Sequence, residues 1–211
     1  MSDDAIPEAM AVFPLPGLVF LPGQRLPLHI FEPRYRVMVR DALAGKGWLA
    51  VACALGPDGE EPAVFSPMAT AGRIHAHQQL PDGRYNILVE GIARARLLEI
   101  PAATPYRVVR PQVQRDVLDD RVSPTEHSAL LHVCTQLLRV ARERRTAVDF
   151  HAPMELPPAR LAMRLVDRFV NDPATRLKAL HCESGAELVR VANGALSAVL
   201  LDLDRTPRAK Q

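Results

Sequence analysis

Residues Phe13 to Leu43 read F-P-L-P-G-L-V-F-L-P-G-Q-R-L-P-L-H-I-F-E-P-R-Y-R-V-M-V-R-D-A-L. Two short apolar runs, Met10 to Phe13 and Arg25 to Ile30, are bounded by proline and glycine and are expected to be strands. Pro14, Pro16, Pro22 and Gly23 make the connection between them rigid and extended, because proline fixes φ and lacks an N–H. Glu32-Pro33 then opens a helix: proline suits the first helical position, where a missing donor costs nothing. Tyr35, Met38, Val39, Ala42 and Leu43 recur at helical spacing as one buried face, and Gly45 follows in the place of a left-handed cap. The stretch is a joint between strand and helix.

Beyond it the first half stays rich in strand signals. Trp48 to Leu55 reads as a buried strand, and Gly56 to Pro62 as a polar, mobile loop. Met68 to Gln78 is strand-like, with Gly72 marking a bulge or a close backbone approach. Asp82-Gly83 is a hairpin turn leading into Tyr85 to Glu90. After Gly91, alternation from Ala93 to Leu97 places Arg94 and Arg96 on one strand face. Tyr106 to Gln114 is a further strand. Several short strands with one helix predict a curled sheet or small barrel.

Past residues 116–121 the pattern becomes helical. Ser123-Pro-Thr-Glu126 is a capping box, followed by the stripe Leu130, Cys134, Leu137, Leu138 and Ala141, which ends in the charged run Arg142 to Arg145. Pro157-Pro158 opens a second helix whose apolar face is Leu161, Leu165, Val166, Phe169 and Val170. Asp172-Pro173 starts a third, and Ser184-Gly-Ala-Glu187 a fourth reaching about Leu201, before a charged, frayed tail. The expected class is α+β, with a β-rich lobe over 1–118 and an α-helical bundle over 119–211.

Composition bounds the rest. The 211 residues are 48% hydrophobic and 24% charged, an ordinary globular balance, and a net charge of +2 gives nucleic acid no electrostatic footing. Cys53, Cys134 and Cys182 are far apart and odd in number, which predicts neither a disulfide framework nor a zinc site, and fits a reducing cytoplasm. The acidic, polar N-terminus lacks the pattern of a signal peptide, and the aliphatic run from Ala195 to Leu201 is far short of the ~20 residues a bilayer needs.

Candidate chemistry is sparse. His29, Glu32 and Arg34 offer a general acid, a base and an anion clamp, but neighbours at a strand end and a first helical turn point apart. Together with Tyr35 they are read as a structural network that pins helix to sheet. His75 and His77 share a strand face but lack a third metal ligand, and His132 with Cys134 and His181 with Cys182 fare no better. The arginines at 139, 142, 144 and 145 enclose Glu143 and lack interleaved aromatics for base stacking. No phosphate loop occurs, and none of the three lysines sits where a Ser-Lys dyad could form. No catalytic residue, metal or cofactor is expected.

Three stretches together carry a resemblance: Phe13 to Leu43, Ala69-Thr-Ala-Gly-Arg-Ile74, and Leu80-Pro-Asp-Gly-Arg-Tyr-Asn-Ile-Leu-Val-Glu-Gly-Ile-Ala-Arg-Ala-Arg96. P-L-P, then P-L-x-I-F-E-P-R-Y, a G-R-I strand and a D-G-x-Y-x-I-x-x-x-G-x-x-R hairpin occur in the order of the N-terminal substrate-binding domain of Lon proteases, which this chain resembles. The resemblance implies a PUA-like β lobe followed by helices, a role in recognising unfolded or damaged polypeptides, and self-association. It implies a stand-alone protein without ATPase or protease domain, acting as a peptide-binding module or quality-control adaptor. A groove between the lobes would take the peptide, with Phe20, Leu21, Phe31 and Tyr85 as candidate contacts. The alternative is an RNA-binding PUA-like module using Arg94, Arg96, Arg107 and Arg110.

Overall fold

A computed structural model of the chain describes residues 5–56, 64–114, 122–143 and 156–205. Its contacts divide into two compact units, Met1–Arg115 and Asp116–Gln211. The polar loop expected after Gly56, the 118/119 boundary and the end of the tail lie outside the described residues.

The first unit holds six strands, β1 (Met10–Pro16), β2 (Arg25–Ile30), β3 (Trp48–Ala54), β4 (Met68–Gln79), β5 (Tyr85–Ile100) and β6 (Val108–Val113), with one helix, α1 (Pro33–Ala44). The sheet order is β2-β5-β4-β3-β1-β6, and the far half of β5 also pairs with β6. Pairing therefore runs from β5 through β4, β3, β1 and β6 back to β5. β1 and β3 are parallel; the other pairs are antiparallel. The class is α+β with a mixed sheet. β1 runs past its expected end at Phe13 to include Pro14 and Pro16, which sit where β6 no longer pairs with it. β5 is one sixteen-residue strand that crosses Gly91 instead of stopping there.

Alternation divides the buried side chains between two faces. One face carries Phe13, Leu49, Val51, Ile87 and Val89, covered by Tyr35, Met38 and Val39 of α1. The other is built from small residues, Ala50, Ala52, Ala69, Ala71 and Ala95, with Val12, Trp48 and Val109. β3 serves both faces and is buried from Trp48 to Cys53, hence its unbroken apolar run.

The connection 18–24 folds onto the first face. Phe20 and Leu21 are 1% and 0% exposed. The Gly91 N–H donates to Gln24 O (2.9 Å), Gly23 N–H donates to Gly91 O (2.8 Å), and Thr70 Oγ1 donates to Phe20 O (2.7 Å). The Phe20 ring lies over two glycines. A Cβ on Gly72 would meet Val89 Cγ1 at 2.7 Å, and one on Gly91 would meet Leu21 O at 2.6 Å. Gly72 is thus a close approach, and the ladder also shifts register beside it. The expected cap at Gly45 is corrected: its φ is −95°, and the left-handed residue is Gly47 at +73°, whose N–H donates to Ala42 O (2.8 Å).

The second unit contains α2 (Pro124–Glu143), α3 (Pro158–Phe169), α4 (Pro173–His181) and α5 (Gly185–Arg205), with α5 packed against each of the others. The start signals are in place. Ser123 N–H and Oγ bond Glu126 Oε2 (3.0 and 2.8 Å), Asp172 accepts from Thr175 N–H (2.8 Å), and Glu187 N–H donates to Ser184 Oγ (3.1 Å). Arg190 of α5 reaches the other Glu126 oxygen at 3.0 Å, so one carboxylate caps α2 and ties it to α5.

Two outcomes follow. Gly91→Ala sets a methyl against a fixed carbonyl and should cost about 2–3 kcal/mol in chemical denaturation, and Gly72→Ala, opposed by the stiff, buried Val89 side chain and by Glu90 O, should be destabilising as well. The Ser123 hydroxyl and N–H, then Arg190, hold the Glu126 carboxyl below its ordinary value. A depressed folded-state pKa contributes stability above the unfolded value, roughly pH 4.3, and that contribution is lost as pH falls through the folded value. Glu126→Gln should therefore lower the melting temperature at pH 7, but only slightly, because the pairs it loses are exposed to solvent. Melting curves recorded downward from pH 7 should show the gap to the parent protein closing below about pH 4.

Candidate functional site

The strand-to-helix joint does not form one network. His29 is exposed at the end of β2 and faces its β5 register partner, with Nδ1 2.7 Å from Asn86 Oδ1 and Nε2 3.3 Å from the Arg84 guanidinium. Glu32 pairs instead with Arg34, at 3.0 Å. Tyr35 is buried, its ring 4.5 Å from Phe13 on one side and 4.5 Å from the Arg34 guanidinium. The expected network is corrected to a surface cluster on the hairpin and a local ion pair. What ties α1 to the hairpin is Arg36, whose Nε donates to Gly83 O at 2.7 Å. Exposed polar pairs of this kind contribute little to stability.

Of the four peptide-contact candidates, Phe20, Leu21 and Tyr85 are core residues, at 1%, 0% and 6% exposure, and of these Tyr85 also lines a recess beside α1. Phe31 is 61% exposed, beside the His29 ring. Of the arginines considered for RNA, Arg96 and Arg110 are exposed on the adjacent strands β5 and β6, and the other two are engaged elsewhere. Arg94, a candidate RNA contact, is 1% exposed and so not available to one; Arg107 is paired with Glu99 (2.7 Å) and lies 4.3 Å over the Phe65 ring. His75 and His77 are exposed on β4, with His75 3.8 Å from Glu90. Among the described residues no three potential ligands gather as a metal site. Cys134 packs in the α2 stripe, and burial pushes its thiol up, away from reactivity.

A recess lies where the start of β1, the second half of α1 and the approach to β6 meet. It is a cleft of ≈ 470 Å³ lined by Pro7, Met10, Met38, Ala42, Trp48 and Val108 on its apolar walls, with Asp41, Lys46 and Tyr106 as its polar groups. Tyr106 Oη donates to Asp41 Oδ2 at 3.0 Å, joining elements 65 residues apart. Hydrogen bonds from Arg40 hold the Asp41 carboxyl below the carboxylate range; burial opposes them and the Tyr106 hydroxyl adds to them. Burial, then the Asp41 carboxylate, push the Tyr106 phenol up. Both groups therefore keep fixed charge states near neutrality. The lining contains no serine, cysteine or histidine, so it offers no activated nucleophile and no base poised near pH 7. An apolar trough with one oriented anion is equipped to bind. Sequence spacing gave no sign of the Asp41–Tyr106 pair, nor of Thr70 as the clamp on Phe20.

Comparison with known proteins agrees with this architecture. The family model of the ATP-dependent protease La (LON) substrate-binding domain matches residues 9–185. Lon protease 2 of Myxococcus xanthus is 27% identical over 145 residues, and the Lon protease of Trichlorobacter lovleyi 31% over 139. These matches take in 68% and 64% of this chain but only 17% of either relative. A Lon N-terminal domain protein from Xanthomonas campestris superposes with a TM-score of 0.64 at 22% identity, over 86% of this chain and 95% of that one. The N-terminal domain of a Mycobacterium avium complex Lon protease gives 0.67 at 18%, over 90% and 98%. The chain belongs to the Lon substrate-binding domain family.

Proposed function

We propose that this protein is a non-catalytic module that binds exposed segments of unfolded or damaged polypeptides, either for degradation or as a quality-control adaptor. The observation that carries the reading is the apolar cleft between β1, α1 and β6, set in a chain that matches a substrate-binding family over residues 9–185. Its walls would take aliphatic and aromatic side chains, while Asp41 orients a main-chain or side-chain donor. The ring of strand pairings and the alanine-rich face support a small barrel of the PUA-like kind as the scaffold, and the four helices are taken as a bundle beside it in sequence. Three free, buried cysteines support a reducing compartment. Among the described residues no helix is long and apolar enough to cross a membrane.

Reduced, carboxymethylated α-lactalbumin, which cannot refold, is a suitable client. The protein should bind it saturably in fluorescence anisotropy while keeping its own melting transition. Ala42→Trp, which fills the cleft from α1, should weaken binding at least tenfold with the transition unchanged. No saturable binding by the parent protein would reject the module. Undiminished binding by the folded variant would reject the cleft.

A further inference from the structure

We infer that the unpaired outer edge of β4 at His77 and Gln79 takes up an extended polypeptide segment as an added strand. The inference rests on the peptide-binding reading above and names a second point of contact for the same ligand.

β4 is flanked by β5 throughout but by β3 only from Thr70 to Arg73. The last bond on the β3 side is from Ile74 N–H to Gly47 O, after which residues 75–79 have no backbone partner on that side among the described residues. All five side chains are exposed. Antiparallel ladders alternate, and this fixes which groups point out. Gly91 bonds to the β2 side through Gln24, so Val89, Ile87 and Tyr85 bond there too, leaving Leu88 and Asn86 to bond β4 at Ala76 and Gln78. The N–H and C=O groups of His77 and Gln79 are therefore turned outward, four main-chain groups in one row.

Free edges are usually blunted by proline, charge or a bulge. The same alternation puts the missing N–H of Pro27 on the outer side of β2, next to Arg25. The free end of β1 carries Pro14 and Pro16, and that of β6 carries Arg110 and Pro111. On β4 the shift between Ile74 and Ala76 interrupts the edge at its start, and the following Ala76-His-Gln-Gln79 has neither proline nor formal charge. An edge of this kind is satisfied by another extended main chain. Each end of it borders a recess. One of ≈ 420 Å³ is lined by Trp48, Arg73, Ile74, His75, Glu90 and Ile92; the other, of ≈ 350 Å³, has Gln79 beside Arg36, with no carboxylate in its lining, while Arg40 on its wall is already paired with Asp41 at 2.9 Å. The occupant is an extended segment with an acidic residue at the end that meets α1.

The test uses the full chain and reduced, carboxymethylated α-lactalbumin, which is acidic and unfolded. Backbone hydrogen exchange should slow at least tenfold at His77 and Gln79 when it binds, and stay unchanged at Arg25 and His29. His77→Pro removes one outward donor, as Pro27 does on β2, and should weaken binding at least fivefold. If that variant fails to fold, exchange in the parent protein decides alone. Binding without added protection at His77 and Gln79 overturns the edge while sparing the peptide-binding reading. Absence of binding by the parent protein removes both. Protection that appears without polypeptide and tracks a dimer in sedimentation replaces the client with a second copy of the chain.

Discussion

The first unit depends on one interlock, the seating of Phe20 and Leu21 on the bare backbone of β4 and β5. Gly72 and Gly91 leave room for the Phe20 ring, and Thr70 holds the Phe20 carbonyl. Gly91 accepts from Gly23 N–H and donates to Gln24 O at the close of the Leu21–Gln24 turn. Because the connection is pinned there, β2 is delivered beside β5 and Pro33 can start α1 over the buried face of Leu49, Val51 and Val89. A side chain on Gly91 would push at Leu21 O, a main-chain atom with no rotamer to escape into.

This explains why the stretch from Phe13 to Leu43 was legible as architecture but not as a site. Its prolines and the Glu32-Pro33 start are local rules, and they placed both strands and the helix start, although Pro14 and Pro16 belong to β1 and not to the connection. Phe20 and Leu21 looked available to a ligand because nothing in their own neighbourhood says that glycines some fifty and seventy residues later will receive them. The burial of Arg94 was hidden for the same reason. Alternation put it on a face with Arg96, yet only the return of distant strands determines which part of that face is covered, and Arg94 lies at 1% exposure.

The helical unit was easier to read because its signals are complete within four residues. Ser123 with Glu126, Asp172 with Thr175, and Ser184 with Glu187 each satisfy a helix start using side chains that the sequence places side by side. Helix ends are less well specified: α5 continues to Arg205, past the expected stop near Leu201, since no proline or glycine intervenes. The Asp41–Tyr106 pair belongs to the opposite extreme. It is a contact across 65 residues whose two members carry no pattern, and only closure of β6 beside β1 brings them together.

An unfolded client presents a particular recognition problem, because clients share no sequence. What they share is apolar side chains out of place and a main chain without its partners. On the proposed reading, the cleft beside Trp48 would answer the first with apolar walls and few polar groups, Asp41, Lys46 and Tyr106, which would tolerate many side chains. A strand edge answers the second, since its hydrogen bonds do not depend on side-chain identity. Neither contact calls for a catalytic group, and fixed protonation states at Asp41 and Tyr106 would keep such binding insensitive to pH near neutrality. Breadth of this kind costs affinity at each contact, so two weak contacts on one rigid unit are worth more than either alone, provided a single extended chain spans both.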